Sequence, residues 1–99
     1  MKNISVVLPV FNEKKSLLYV IKRWHQFFLK ENIAHEFVIC EDGSTDGTKE
    51  LIQDLKEKYP ISDQSSHERL GYGGGVTRGI KASKFEYILC IDSDGQCMP

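Results

Sequence analysis

Tyr87-Ile88-Leu89-Cys90-Ile91-Asp92-Ser93-Asp94-Gly95-Gln96 opens as an unbroken apolar run and ends in two acids separated by one residue. A short continuous apolar run is the mark of a strand buried on both faces, as in the middle of a parallel sheet. The acids fall where that strand ends. Alternate residues of an extended segment point to the same side, so Asp92 and Asp94 can face one spot with their carboxylates roughly 7 Å or less apart. Two hard oxygen donors so placed suit Mg²⁺ or Mn²⁺ that also holds a diphosphate. The carboxyl ends of strands are where open α/β sheets take their ligands.

The same strand pattern recurs upstream. Ile4-Ser5-Val6-Val7-Leu8-Pro9-Val10 has the composition of a central parallel strand, expected to end at Pro9, which donates no ladder bond. Leu17, Val20, Ile21, Trp24, Phe27 and Phe28 recur at three- and four-residue steps and predict a helix from about residue 13 to 30 with Asn12 as its cap. Residues 36–40 predict a second strand, and 43–47 a loop opening a second helix, with Ser44 or Asp46 as cap and Leu51, Ile52 and Leu55 as its apolar stripe. Residues 61–70 carry only a hint of a short edge strand near Ile61. A glycine-rich loop over 71–75 leads to a third helix through about Ser83, and 87–91 is the last strand. Alternating strands and helices predict an α/β, Rossmann-like parallel sheet of about four strands with helices on both faces.

Ninety-nine residues allow one domain at most, and 40% hydrophobic with 27% charged residues is an ordinary globular balance. A formal charge of −1 argues against a nucleic-acid footprint or an electrostatic membrane anchor. No run approaches the ~18 apolar residues of a membrane-spanning helix, and Met-Lys-Asn leads straight into a strand rather than a secretion signal. Cys40, Cys90 and Cys97 include no Cys-x-x-Cys pair, so reduced thiols and a cytoplasmic setting are expected, and zinc is not. His25, His35 and His67 enter no catalytic constellation. The chain stops soon after Asp94 with no helix following the last strand, so residues 1–99 are expected to be part of a larger protein.

Each loop motif has two explanations. Asn12 and Glu13 can contact a nucleoside at the ligand edge, or simply cap a helix. Glu41-Asp42-Gly43-Ser44-Thr45-Asp46-Gly47-Thr48 offers carboxylates to ring N–H or ribose groups and a helix N-terminus to anions, or is a capped turn with glycines at unusual dihedrals. Gly71-Tyr72-Gly73-Gly74-Gly75-Val76-Thr77-Arg78-Gly79 lacks the third fingerprint glycine, replaced by Val76, and the P-loop ending. It brings backbone close either to a ligand, with Arg69 and Arg78 as diphosphate partners, or to another element. For Asp92 and Asp94, an EF-hand is excluded for want of further ligands. A haloacid dehalogenase-like phosphatase shares the Asp-x-Asp but expects Thr or Val where Gln96 stands. Exposed loop acids are the remaining alternative.

Taken in order, Val6 to Glu13, Glu41 to Thr48, Gly71 to Gly79 and Asp92 to Gln96 resemble family 2 glycosyltransferases across nearly the whole chain. The Gly95-Gln96 ending resembles the branch of dolichol-phosphate mannosyltransferase and bacterial polyprenyl-phosphate sugar transferases. The resemblance implies the N-terminal, nucleotide-binding half of a GT-A fold. It implies inverting transfer of a sugar from a UDP- or GDP-sugar to a lipid-phosphate or glycan acceptor. It puts Pro9, Asn12 and Glu13 beside the nucleoside, Asp42 on the base, and Arg69 and Gly71 near the ribose and diphosphate. Asp92, Ser93 and Gln96 would meet the donor, and Asp92 and Asp94 the Mg²⁺ or Mn²⁺. Glu41 departs from the aspartate common there, Arg69-Leu70 replaces a common asparagine, and the catalytic base is expected beyond residue 99. A non-catalytic nucleotide-binding or interaction module is the competing expectation. The last strand is expected to leave an exposed sheet edge open to self-association.

Overall fold

The computed structural model describes residues 3–65, 71–92 and 99, with the backbone alone for 71–73. Its elements follow in the order β1 (Asn3–Val10), α1 (Lys14–Lys30), β2 (Ala34–Glu41), α2 (Thr48–Lys56), β3 (Ile61–Asp63), α3 (Gly71–Ala82) and β4 (Tyr87–Cys90). All four strands are parallel and lie in the order β3-β2-β1-β4. This is the α/β, Rossmann-like sheet expected from the sequence, with the hinted edge strand present as β3; the 87–91 run, expected to be a buried strand, instead forms β4 at the edge of the described sheet, with Tyr87, Ile88 and Cys90 exposed.

The alternating side chains of β1 and β2 divide two apolar layers. Val6, Leu8, Val10, Phe37 and Ile39 meet Leu17, Val20, Ile21 and Phe28 of α1 and Ile52 and Leu55 of α2. Val7, Val38 and Cys40 form the opposite layer, against Ala82 of α3. Continuous apolar runs are needed because both faces of the sheet are covered.

β1 does not end at Pro9 but continues through Val10, with Pro9 opposite Cys40 of β2. The reason is directional. Val7 O accepts the Ile91 N–H on the β4 side (3.1 Å), whereas Val10 O accepts the Asp42 N–H on the β2 side (2.9 Å). Residues two apart face the same neighbour, so the N–H that Pro9 lacks would point toward β4, whose pairing has already stopped at Val7–Cys90. Among the described residues, Pro9 therefore interrupts no β1–β4 pair.

The expected glycine loop over 71–75 is instead the opening of α3. Glycine is a poor helix former, by about 1 kcal/mol per residue, but packing overrides that preference here. Gly75 and Gly79, one turn apart, face the sheet. A Cβ on Gly75 would sit 3.7 Å from Cys40 Cβ, and one on Gly79 only 2.6 Å from both Cys40 Sγ and Val7 Cγ1. The helix therefore lies closer to the strands than any side chain at residue 79 would permit.

At the amino end of the sheet, Glu36 is nearly fully buried and accepts hydrogen bonds from Ser5 Oγ (2.6 Å) and Lys84 N (2.8 Å). Ser5 Oγ in turn accepts the Phe85 N–H (3.1 Å). Two strands and the α3–β4 connection are thus fastened by one carboxylate.

His25 and His35, unassigned from the sequence, pair between α1 and β2. The Ile33 carbonyl can only accept, so His35 Nδ1 donates to it (2.9 Å) and a neutral His35 offers its Nε2 lone pair to His25 Nδ1–H (2.7 Å). Phe28 and Tyr59 rings flank the pair. Burial, and secondarily His35, hold His25 below its ordinary value of 6.5. The unfolded chain therefore takes up protons that the folded one resists as pH falls. The contribution of His25 is complete well above pH 6.5 and declines below it. Thermal melts at pH 8, 6.5 and 5.5 should show a falling midpoint, with a shallower fall in His25→Gln; equal slopes would contradict the assignment.

Candidate functional site

The strand order places β1 between the two directions in which the chain spreads: toward β2 and β3 first, then back to β4. The carboxyl edge on either side of such a strand is where ligands bind in open α/β sheets. Val10, Glu41 and Cys90 end their strands along this rim.

Two loops form the rim on the β1–β2 side, and they are tied together. Asn12 adopts φ 52° and does not cap α1: the cap position is Glu13, with no side-chain cap bond. Asn12 N instead donates to Ser44 Oγ (2.9 Å), and Asn12 Oδ1 accepts the Thr45 N–H (2.8 Å). Where capping is the sequence-based alternative to a ligand role, the structure gives the residue an inter-loop contact. Glu13 Oε2 accepts from Ser16 Oγ (3.0 Å).

The 41–48 segment is built on Gly43 (φ 75°) and Gly47 (φ 95°), conformations that disfavour any side chain. Gly47 is the cap position of α2, but Asp46 satisfies the helix, its Oδ1 accepting from Thr48 N (3.0 Å) and Thr48 Oγ1. Its Oδ2 accepts the Lys14 N–H (3.3 Å), joining the two loops a second time. The hydrogen bond from Thr48, chiefly, holds the exposed Asp46 carboxyl below the ordinary range. Lys14 lays its side chain over Gly47. The sequence marks Ser44 only as a helix cap and does not mark Lys14 or Thr45 at all, because tying two loops together leaves no local pattern.

Asp42 is 7% exposed at the end of β2. Pro9 is half-buried beside it on β1, and Asp92 is exposed immediately after Ile91. Asp42 and Asp92 thus flank β1 on opposite sides of one rim, and α3 opens at Gly71 and runs back under the sheet. Arg69, Ser93, Asp94 and Gln96 lie outside the described residues. Among the described residues, no three His, Cys, Asp or Glu side chains converge as a metal site. Asp92 itself is a hard, accessible oxygen donor of the type Mg²⁺ and Mn²⁺ take. Behind the rim, burial pushes the Cys40 thiol up to about 11, which leaves it protonated and inert. Among the described residues no helix is long and apolar enough to cross a membrane.

Carboxylates at a strand rim, one shielded and one open, can accept N–H groups of a base and bind a cation. Similarity to known proteins runs in the same direction. The family model for glycosyl transferase family 2 matches residues 5–99. A dolichyl-phosphate beta-glucosyltransferase of Dictyostelium discoideum is 32% identical over 100 residues, covering 93% of this chain and 31% of that protein. S. aureus TarS in complex with UDP-GlcNAc superposes with a TM-score of 0.79 at 26% identity, over 95% of this chain and 27% of that one. The mannosyltransferase PcManGT from Pyrobaculum calidifontis, in complex with GDP-Man and Mn²⁺, shares the fold with a TM-score of 0.79 at 20% identity, over 92% of this chain and 27% of that one. The chain spans about a third or less of the length of each. With its four-stranded parallel sheet and a match that runs from β1 past the Asp92 rim, the chain belongs to glycosyl transferase family 2.

Proposed function

We propose that residues 1–99 are the donor-binding portion of a glycosyltransferase that moves a sugar from a UDP- or GDP-sugar to an acceptor with inversion, polyprenyl phosphate being the first acceptor class to test. The observation that carries this is the placement of Asp42 and Asp92 on either side of β1 at one rim, in a family 2 chain. Asp42, shielded from water, accepts a ring N–H of the base, where the low local dielectric strengthens the bond. Pro9, Asn12 and Glu13 line the nucleoside side; Arg69 and Gly71 lie toward the ribose and diphosphate; Ser93 and Gln96 meet the donor. Asp92 and Asp94 would hold Mg²⁺ or Mn²⁺, which when bound offsets the charge that develops on the departing diphosphate. None of these residues is assigned as the base that takes the acceptor proton, so they account for donor binding and not for turnover. Free Cys40 and Cys90 support a reducing, cytoplasmic setting.

Calorimetric titration with UDP- and GDP-sugars, with and without Mn²⁺, tests the proposal. Mn²⁺ should strengthen binding, and Asp92→Asn should weaken it about tenfold, or about 1.4 kcal/mol. Binding of no nucleotide would favour a non-catalytic interaction module. β4 has a strand on one side only among the described residues, and Tyr87 and Ile88 are exposed on it. Self-association through that edge should appear as dimer in sedimentation at high concentration; a strict monomer counts against it.

A further inference from the structure

Glu41 closes β2 with a side chain that is 0% exposed. Its Oε2 accepts the Ser44 N–H, Ser44 Oγ accepts the Asn12 N–H, and Asn12 Oδ1 accepts the Thr45 N–H. One carboxylate therefore starts a relay that fixes both loops at the rim. Its other oxygen, Oε1, is buried with no hydrogen-bond partner among the described residues, and the balancing charge is Lys49 Nζ, 3.9 Å away on the first turn of α2. Burying a carboxylate is costly and an ion pair seldom repays it fully. A side chain retained only to fill space here would be apolar.

We propose that Glu41 is a positioning residue for donor recognition. Held against Lys49, its carboxylate sets the course of the 42–47 loop and with it the aim of the adjacent Asp42. The inference rests on the donor reading of the site. Reach is the critical quantity. Glu41 is fixed in the ladder opposite Val10, so its backbone cannot follow a shorter side chain toward Ser44. Glu41→Asp withdraws the carboxylate by about 1.5 Å, one carbon–carbon bond. Glu41→Gln keeps the reach and one acceptor oxygen for the Ser44 N–H.

The test pairs calorimetric titration of UDP and GDP, in Mn²⁺, with amide hydrogen exchange on the unsubstituted chain and both variants. Glu41→Asp should weaken nucleotide binding about tenfold, since a displacement of about 1 Å is enough to spoil a site. It should also speed exchange at Ser44 and Thr45 while Val38 and Ile39 in the middle of β2 keep their protection. Glu41→Gln should restore most of both. The inference is overturned if Glu41→Asp binds as tightly as the unsubstituted chain, if exchange quickens equally at Val38 and Ile39, or if Glu41→Gln is as damaging as Glu41→Asp. Failure of the unsubstituted chain to bind any nucleotide is a separate result: it overturns the donor reading first and this inference with it.

Discussion

Gly79→Ala is expected to lower the unfolding free energy by about 2 kcal/mol, although alanine is the better helix former. Two effects oppose each other. Replacing glycine inside a helix gains about 1 kcal/mol, and forcing a methyl group into a filled core costs about 3 kcal/mol. The second prevails because the new Cβ would stand 2.6 Å from Cys40 Sγ and Val7 Cγ1. Both side chains are almost wholly buried, so neither has free space to move into. Gly75→Ala is the control. Its Cβ would make an ordinary 3.7 Å contact with Cys40 Cβ, so only the helix term applies and stability should rise by about 0.5–1 kcal/mol. Urea denaturation of both variants should show midpoints moving in opposite directions. Cys40→Ala combined with Gly79→Ala should recover part of the loss, because it removes one of the two obstructing atoms. Equal shifts for the two glycine variants would refute the close approach of α3.

Glu36→Ala is expected to cost about 3 kcal/mol. Removing the side chain strips the acceptor from Ser5 Oγ, which is buried, and from Lys84 N, which is partly buried. Each stranded donor costs about 1–3 kcal/mol. Glu36→Gln keeps an acceptor oxygen, so about 1 kcal/mol is expected there. Ser5→Ala offers an independent check, since it leaves the Phe85 N–H without its partner. If Glu36→Ala unfolds at the same denaturant concentration as the unsubstituted chain, the network contributes nothing net.

Residues whose partners are close in sequence were legible before any coordinates. The apolar spacing of Leu17, Val20, Ile21 and Phe28 placed α1 nearly to the residue, and the run Val6-Val7-Leu8 declared a strand covered on both faces. Where tertiary contact decides, local preference misleads. Gly71 to Gly75 has the composition of a loop, yet it opens α3, the helix that at Gly79 packs against Cys40 and Val7 more closely than a side chain there would allow. Asn12 has the right chemistry for a cap, but its carbonyl oxygen finds Thr45, 33 residues away. Pro9 is a strand breaker only where a neighbour needs its N–H. At the rim, Asp42 and Asp92 could be ranked from their positions at strand ends. Glu41, Ser44 and Lys14 could not, since their roles are defined by contacts between loops.

The bond between Ser5 and Phe85 joins residues 80 positions apart, and β4 is the last of the described strands in chain order. On the ribosome, β1, β2 and β3 can pair while β4 is still inside the exit tunnel, leaving the flank of β1 beside Asp92 without its wall. A donor that needs both sides of β1 has nowhere to lodge until residues 84–92 have emerged. Under the proposed donor reading, the nascent chain would gain that site in one step, when β4 pairs with β1, rather than gradually with its length.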